Sequence, residues 1–418
     1  MRLRVLFVHR AFPAQFGRLA AELSRRHGWH CHFLVEHLSH CPPPSAEMLA
    51  ALDVRQWPRP AGSKTDAETP WPQVHGRALA CARAVFELVR ARPDLRPDRV
   101  VGHGGLVPTL LLRQSLACPL VDYCEYYFAP RHNDLTYRVD LPPVEPALFY
   151  PRCINAATLL NLAACDAAYT PTHWQRQSFP ECFRGKIEVH PDGVDVELYR
   201  PRRLVPSLAA QGIPDGVRVV TFVARGLESV RGFDLFLGLA RRVAASRPDV
   251  HFVVVGGETT HYGWDPIFTG GRTFKEWVLG RFDGELSRLH FLGMIDPPHL
   301  ADVLARSDLH VYLSVPFVSS WSLRNALSCG CVVLAGDVAP VREIIEPGRH
   351  GLLAPLFDLE ELTRTALRVL DDPAAHAPLG EAGRRLVEEK YSLDVAVPAL
   401  KDFFERVGGA NAKPQEAR

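Results

Sequence analysis

Residues 217–239 read VRVVTFVARGLESVRGFDLFLGL. The run Val217–Ala224 is β-branched or apolar almost throughout, as expected of a strand covered on both faces. A charged, glycine-containing loop follows, and from Gly232 to Ala245 apolar residues recur with the helical period. Strand, tight loop and helix in this order begin a βαβ unit. Residues 3–23, LRVLFVHRAFPAQFGRLAAEL, pass through the same three steps with few identical residues, so the repetition is one of architecture.

Working outward, strand-like runs fall at Leu3–His9, His30–Glu36, Asp98–Gly102, Leu120–Cys124, Asp166–Thr170 and Lys186–His190. A second series falls at Val217–Ala224, Val250–Gly256, Leu289–Gly293, Leu309–Val315, Cys331–Ala335 and Gly351–Ala354. Amphipathic stretches such as Gln73–Arg92, Pro297–Arg306 and Leu359–Leu370 lie between them. The alternation predicts an α/β fold of two doubly wound, Rossmann-like domains. The turn-rich segment His190–Pro201 sets the boundary: residues 1–195 form the first domain, completed by a terminal helix over 392–408 that Pro398 should bend, and residues 196–391 the second. Ligands of open α/β sheets bind at the carboxyl ends of the strands, and two such domains facing across a cleft suit two substrates. Pro58–Pro72 reads as a surface loop, Arg131–Pro151 as a longer irregular segment, and Ala412–Arg418 as frayed.

The chain has 418 residues, too many for one core, and 48 Lys+Arg against 47 Asp+Glu. A net charge of +1 without long runs of one sign excludes a dedicated nucleic-acid binder and a polybasic membrane anchor. The apolar run in MRLRVLFVHRAFP is too short for a secretory signal, and no stretch is long enough to span a membrane. Ten cysteines are scattered without a CxxC pair, which predicts buried thiols and a cytoplasmic setting, the inner membrane face included.

Two places carry chemistry. Arg225 ends a buried strand and Arg231 follows six residues later. Such a pair can hold a diphosphate whose charge grows as its bond to a sugar breaks; solvated or salt-bridged arginines are the plain alternative. In PFVSSWSLRNALSCGC, Ser319, Ser320 and Ser322 precede a helical pattern, and its start offers unpaired N–H groups to an anion or serves only as a cap.

In order along the chain, PDGVDVELYRP, FVARGLESVRGF, HFVVVGG, HFLGMI, SDLHVYLSVPF and NALSCGCVVLAGDVAPVREII resemble the family-four (group 1) retaining glycosyltransferases of the GT-B fold. LFVHRAFPAQFGRLAAEL and CDAAYTPTHWQRQSFP resemble the same group, so the likeness covers nearly the whole chain. The resemblance implies that Arg225 and Arg231 contact the donor diphosphate, that Met294 and Ile295 border the nucleobase, and that Ser320 and Trp321 stand at a phosphate-binding turn. Gln15, Phe16 and Gly17 would form the first loop of the opposite domain, facing the donor.

Two departures stand out. Where the family commonly has two glutamates eight positions apart, this chain has Phe317 and Asn325; Asn325 can still hydrogen-bond a ribose hydroxyl, and Ser319 or Ser320 can substitute for the first carboxylate. Where many relatives have a histidine after the fourth strand, the matching residue is Glu125, which either acts on an acceptor hydroxyl or pairs with an arginine such as Arg131. His103 in VVGHGG is the second candidate, or a structural histidine.

The resemblance implies transfer of a sugar from a nucleoside diphosphate sugar to a hydroxyl-bearing glycan, lipid-linked or small-molecule acceptor, with retention of configuration. No Asp-x-Asp pair occurs, so no catalytic metal and no cofactor beyond the nucleotide-sugar co-substrate are expected. Tyr137, Arg138, Arg152 and Asn155 are candidate acceptor contacts. A protein that binds a nucleotide sugar or a partner without transfer, and a nucleotide-sugar epimerase, are the alternatives.

Overall fold

A computed structural model describes residues 2–38, 44–57, 73–105, 109–129, 134–142, 144–202, 207–285 and 287–408. The loop at 58–72, Arg131 and the tail at 412–418 lie outside the described residues. The chain divides into two compact units: residues 1–128, 149–193 and 394–418 form the first, and residues 129–148 and 194–393 the second.

The first unit holds seven parallel strands: β1 (Arg4–Phe12), β2 (His30–Leu38), β3 (Asp53–Gln56), β4 (Arg99–His103), β5 (Leu120–Tyr123), β6 (Ala167–Thr170) and β7 (Ile187–Val189). Their order across the sheet is β3-β2-β1-β4-β5-β6-β7, a doubly wound arrangement whose direction reverses between β1 and β4. The second unit holds six: β8 (Arg218–Gly226), β9 (Val250–Gly257), β10 (Leu289–Gly293), β11 (Leu309–Tyr312), β12 (Val333–Gly336) and β13 (Leu352–Ala354). Their order β10-β9-β8-β11-β12-β13 repeats the first sheet's logic, with the reversal between β8 and β11. Continuous apolar strands fit this setting, since helices cover both faces of a parallel sheet: Val219, Val220 and Phe222 on β8 and Phe252, Val253 and Val254 on β9 are all buried.

Three elements differ from the sequence expectation. β3 is an additional strand; its sequence, DVRQ, is short and polar because it pairs only with β2 at the sheet edge. The segment 131–151, read as irregular, contains the helix Asp134–Tyr137 and the start of a helix over Pro146–Ala164, with Pro151 inside its second turn. Residues 129–148 group with the second unit rather than the first. Arg138 accounts for this: its buried guanidinium donates to both oxygens of Asp234 at 3.0 and 2.6 Å and to the Ser229 carbonyl at 2.9 Å.

The terminal helix Leu393–Arg406 joins the first unit's core through Phe403 and Phe404, which are buried against Tyr169, each at a ring distance of 5.8 Å. In the second unit, Arg384 fixes the segment after the boundary by donating to the carbonyls of Val196, Tyr199 and Ser328. Among the described residues no helix is long and apolar enough to cross a membrane.

Candidate functional site

The topological reversal of the second sheet leaves the carboxyl ends of β8 and β11 without a connection running across them, which is where α/β sheets take their ligands. Arg225 is the penultimate residue of β8, and its side chain is exposed. After Leu227 and Glu228 the chain makes a single turn, Ser229–Arg231, and enters the helix Phe233–Ser246 through Gly232. Gly232 has φ +72°, and a Cβ there would stand 2.4 Å from the Leu313 carbonyl oxygen, so only glycine lets the turn lie against the end of β11.

That close approach places Arg231. Its side chain is buried, with Nη1 3.5 Å from Ser314 Oγ, over the Tyr262 ring at 5.0 Å and near the Phe317 ring at 5.8 Å. Phe317 packs edge-on against Tyr262 at 4.8 Å, so the position expected for a sugar-facing carboxylate is part of an apolar wall beside Arg231. Glu228 is fully buried, and its Oε2 accepts the backbone N–H of His261 at 2.6 Å and of Tyr262 at 3.1 Å. Burial pushes its carboxyl up to about 7, with Arg231 opposing the shift. Burial also pushes His261 down to about 4, helped by Arg225 and Arg231, so its ring is neutral near pH 7.

Beside this corner starts the helix Trp321–Ser328. Ser320 is its N-cap, accepting from Ser322 N at 3.3 Å, and Trp321, the first helical residue, is 47% exposed. Ser319 accepts a hydrogen bond from Arg324 at 2.8 Å; Arg324 is itself fully buried, over the Tyr391 ring at 5.2 Å. Asn325 lies half-buried on the same helix. Met294, exposed, and Ile295, half-buried, follow β10, and a Cβ on Gly257 at the end of β9 would meet Met294 at 3.4 Å. Thus Arg231, Met294, Ile295, Ser319, Ser320 and Trp321 lie in turns, loops or a helix start beyond the carboxyl ends of the second sheet, with Arg225 in the last residues of β8 and Asn325 one turn into the helix.

The first unit gathers a second cluster at the corresponding strand ends. Gln15, in the loop after β1, donates to Glu125 Oε1 at 3.0 Å, and His103 Nε2, at the end of β4, lies 3.5 Å from Glu125 Oε2. His9 on β1 is buried with its ring 5.0 Å from that of His103. Asp122 on β5 is fully buried and accepts from Thr109 Oγ1 at 3.0 Å; burial pushes its carboxyl up to about 7.

Four sequence candidates have other work. Phe16 is a core residue, fully buried against Phe7, His9 and Tyr123, and Gly17 packs so tightly that a Cβ would stand 2.4 Å from that of Pro13. Arg138, expected as an acceptor contact, is buried and held by Asp140 and Asp234 within the second unit. Asn155 is buried and closes a two-bond ring with the backbone of Phe128, donating to its carbonyl at 2.8 Å and accepting its N–H at 3.0 Å. Tyr137 stacks on Phe357 at 6.0 Å within the second unit, while Arg152 is exposed on the first unit's helix. The sequence reading passed over Glu228, His261, His9 and Asp122. Glu228 and Asp122 had a signal, each being an acidic residue inside or beside an apolar run; the two histidines had none, since only the folded chain brings them to their partners.

Two units of Rossmann type, the second with a cation corner and a helix start at its switch point, define the class as an α/β protein of GT-B type. The glycosyl transferase family 4 group model matches residues 49–199, and the glycosyl transferases group 1 model matches residues 217–372. The two halves of the chain thus each resemble group 1 glycosyltransferases, of the family-four type.

Among curated proteins, the chain is 27% identical to a GDP-mannose-dependent monoacylated alpha-(1-6)-phosphatidylinositol monomannoside mannosyltransferase of Corynebacterium glutamicum, over 51% of this chain and 55% of that one. It is 31% identical to a D-inositol 3-phosphate glycosyltransferase of Rhodococcus erythropolis, over 56% and 53%. The matched stretches thus span about half the length of these relatives. Among solved structures, sucrose-phosphate synthase from Thermosynechococcus elongatus superposes with TM-score 0.75 at 18% identity, covering 98% of this chain and all of that one (100%). Anabaena HepE in complex with UDP and glucose superposes with TM-score 0.70 at 15% identity, covering 97% and 100%. These likenesses give the fold, which is of the GT-B class.

Proposed function

We propose that the chain transfers a sugar from a nucleoside diphosphate sugar to an acceptor hydroxyl with retention of anomeric configuration, and without a catalytic metal. The observation that carries this reading is the convergence of Arg225, Arg231 and the helix start at Ser320–Trp321 on the switch point of the second sheet. As the bond between the anomeric carbon and the diphosphate oxygen breaks, that oxygen gains negative charge. Two guanidiniums and the unpaired N–H groups of a helix start stabilise it more in the transition state than in the bound donor. The acceptor oxygen forms the new bond to the anomeric carbon and its proton passes to the departing phosphate. In the first unit Glu125, held by Gln15 and paired with His103, is the carboxylate available to orient that hydroxyl.

The names of the relatives support a hydroxyl-rich acceptor of inositol or sugar type, with GDP-mannose the first donor to try. The test is Arg225→Ala. Its side chain is exposed, so the fold should stay intact while transfer falls by about 100-fold or more. Near-normal turnover in this variant would overturn the assignment.

A second reading, favoured by Phe317 in the apolar wall and by Asn325 in place of a carboxylate, is a protein that binds a nucleotide sugar without transferring it. Calorimetric binding across UDP-, GDP-, ADP- and TDP-sugars, with neither transfer nor donor hydrolysis, would favour it.

A further inference from the structure

Between the two arginines stands a carboxylate that the reaction above does not use. Glu228 is 0% exposed, so no ligand touches it. One oxygen is taken by two backbone N–H groups; the other, Oε1, has no hydrogen-bond partner among the described residues and faces Arg231 Nε, likewise without one among them, across 3.8 Å. At that separation the pair is coulombic rather than hydrogen-bonded. We infer that Glu228 is a positioning residue for the anion site: the resident counter-ion of Arg231, which competes with phosphate oxygens for the same guanidinium and takes up a proton from solvent when they win. The inference rests on the proposed role of Arg231 in holding a nucleoside diphosphate.

The surroundings leave Glu228 as the group that responds. Asp265, on the helix Asp265–Phe268, is already engaged by Ser229, whose N–H and hydroxyl both donate to it. His261 is neutral near pH 7, and Arg225 lies at the strand end. The segment after β11 contributes the Ser314 hydroxyl and the Phe317 ring. Burial has already raised the Glu228 carboxyl to about 7, and a phosphate arriving at Arg231 adds negative charge that raises it further. Below that pH Glu228 is neutral and Arg231 acts wholly on the ligand; above it, the ionised carboxylate draws the guanidinium back. Diphosphate affinity therefore falls as pH rises through about 7.

The test is calorimetric titration of the full chain and of Glu228→Gln with GDP and with UDP, at about pH 6 and about pH 8.5, in buffers of differing ionisation enthalpy. Glutamine keeps an oxygen for the His261 and Tyr262 amides and removes only the charge. The expected result is equal affinity at the lower pH, about 5–10-fold tighter binding by the variant at the higher one, and proton uptake that the variant lacks. Comparing the two proteins cancels the nucleotide's own titration. Identical pH profiles, or a variant weaker than the parent at both pH values, would overturn the inference. If the variant does not fold, the parent decides alone, because proton uptake no greater than the nucleotide phosphates supply has the same force. Failure of the parent to bind either nucleotide overturns the glycosyltransferase reading and this inference together, whereas binding without excess proton uptake overturns this inference only.

Discussion

Asp122 illustrates what one buried group does to a whole-chain property. It interrupts the apolar run of β5 and is fully buried; the Thr109 hydroxyl, His103 and Lys186 favour its charge but do not offset burial, which pushes its carboxyl from 3.8 up to about 7. Between those two values the unfolded chain has released the proton while the folded chain keeps it. The native state then binds more protons than the unfolded one, and stability falls as pH rises from about 4 through about 7, levelling beyond. Asp122→Asn should flatten that part of the profile in thermal melts followed across pH, with the parent and variant diverging most above about 7. Parallel profiles would mean that another group sets the slope. Arg138 shows the same dependence on surroundings: a lone arginine in a proline-rich segment looks available in sequence, and only the fold reveals the two carboxylates that engage it.

At the scale of elements, the anion corner depends on how the turn Ser229–Arg231 meets the end of β11. Gly232→Ala would place a methyl group 2.4 Å from the Leu313 carbonyl oxygen at a backbone φ of +72°, combining a clash with a left-handed conformation. A destabilisation on the order of 2 kcal/mol or more is expected, together with weakened nucleotide binding because Arg231 moves with the turn. Unchanged affinity and unchanged denaturant midpoint would show that the turn adapts. Elements of this kind were legible to differing degrees. β8 and the helix after it stood out because burial on both faces writes an unbroken apolar run and a clean helical period into residues 217–245. β3 did not, since an edge strand of four residues with one partner has little apolar surface to record. The arginines of the candidate site could be read from their place at and just after the end of β8, but Glu228 could not be assigned to Arg231 from order alone. Their pairing depends on the turn and on amides from residues 261 and 262.

At the scale of the whole molecule, the first unit is stitched together from three separated segments, and the last of them contributes the helix Leu393–Arg406. Phe404 on that helix is fully buried, with ring contacts to Phe7 and Trp29 at 6.5 Å and to Tyr169 at 5.8 Å. These partners come from β1, the loop before β2, and β6, so one side chain closes the core across segments far apart in sequence. Phe404→Ala removes an aromatic side chain from a site whose neighbours are held by two strands and cannot collapse freely, a loss of about 3–5 kcal/mol. Because the second unit's core draws on none of these residues, the loss should fall on one unit alone. Scanning calorimetry should therefore resolve a lowered transition for the first unit while the transition that responds to added nucleotide keeps its temperature. A common downward shift of the entire thermogram would instead mean that the two units unfold as one cooperative body.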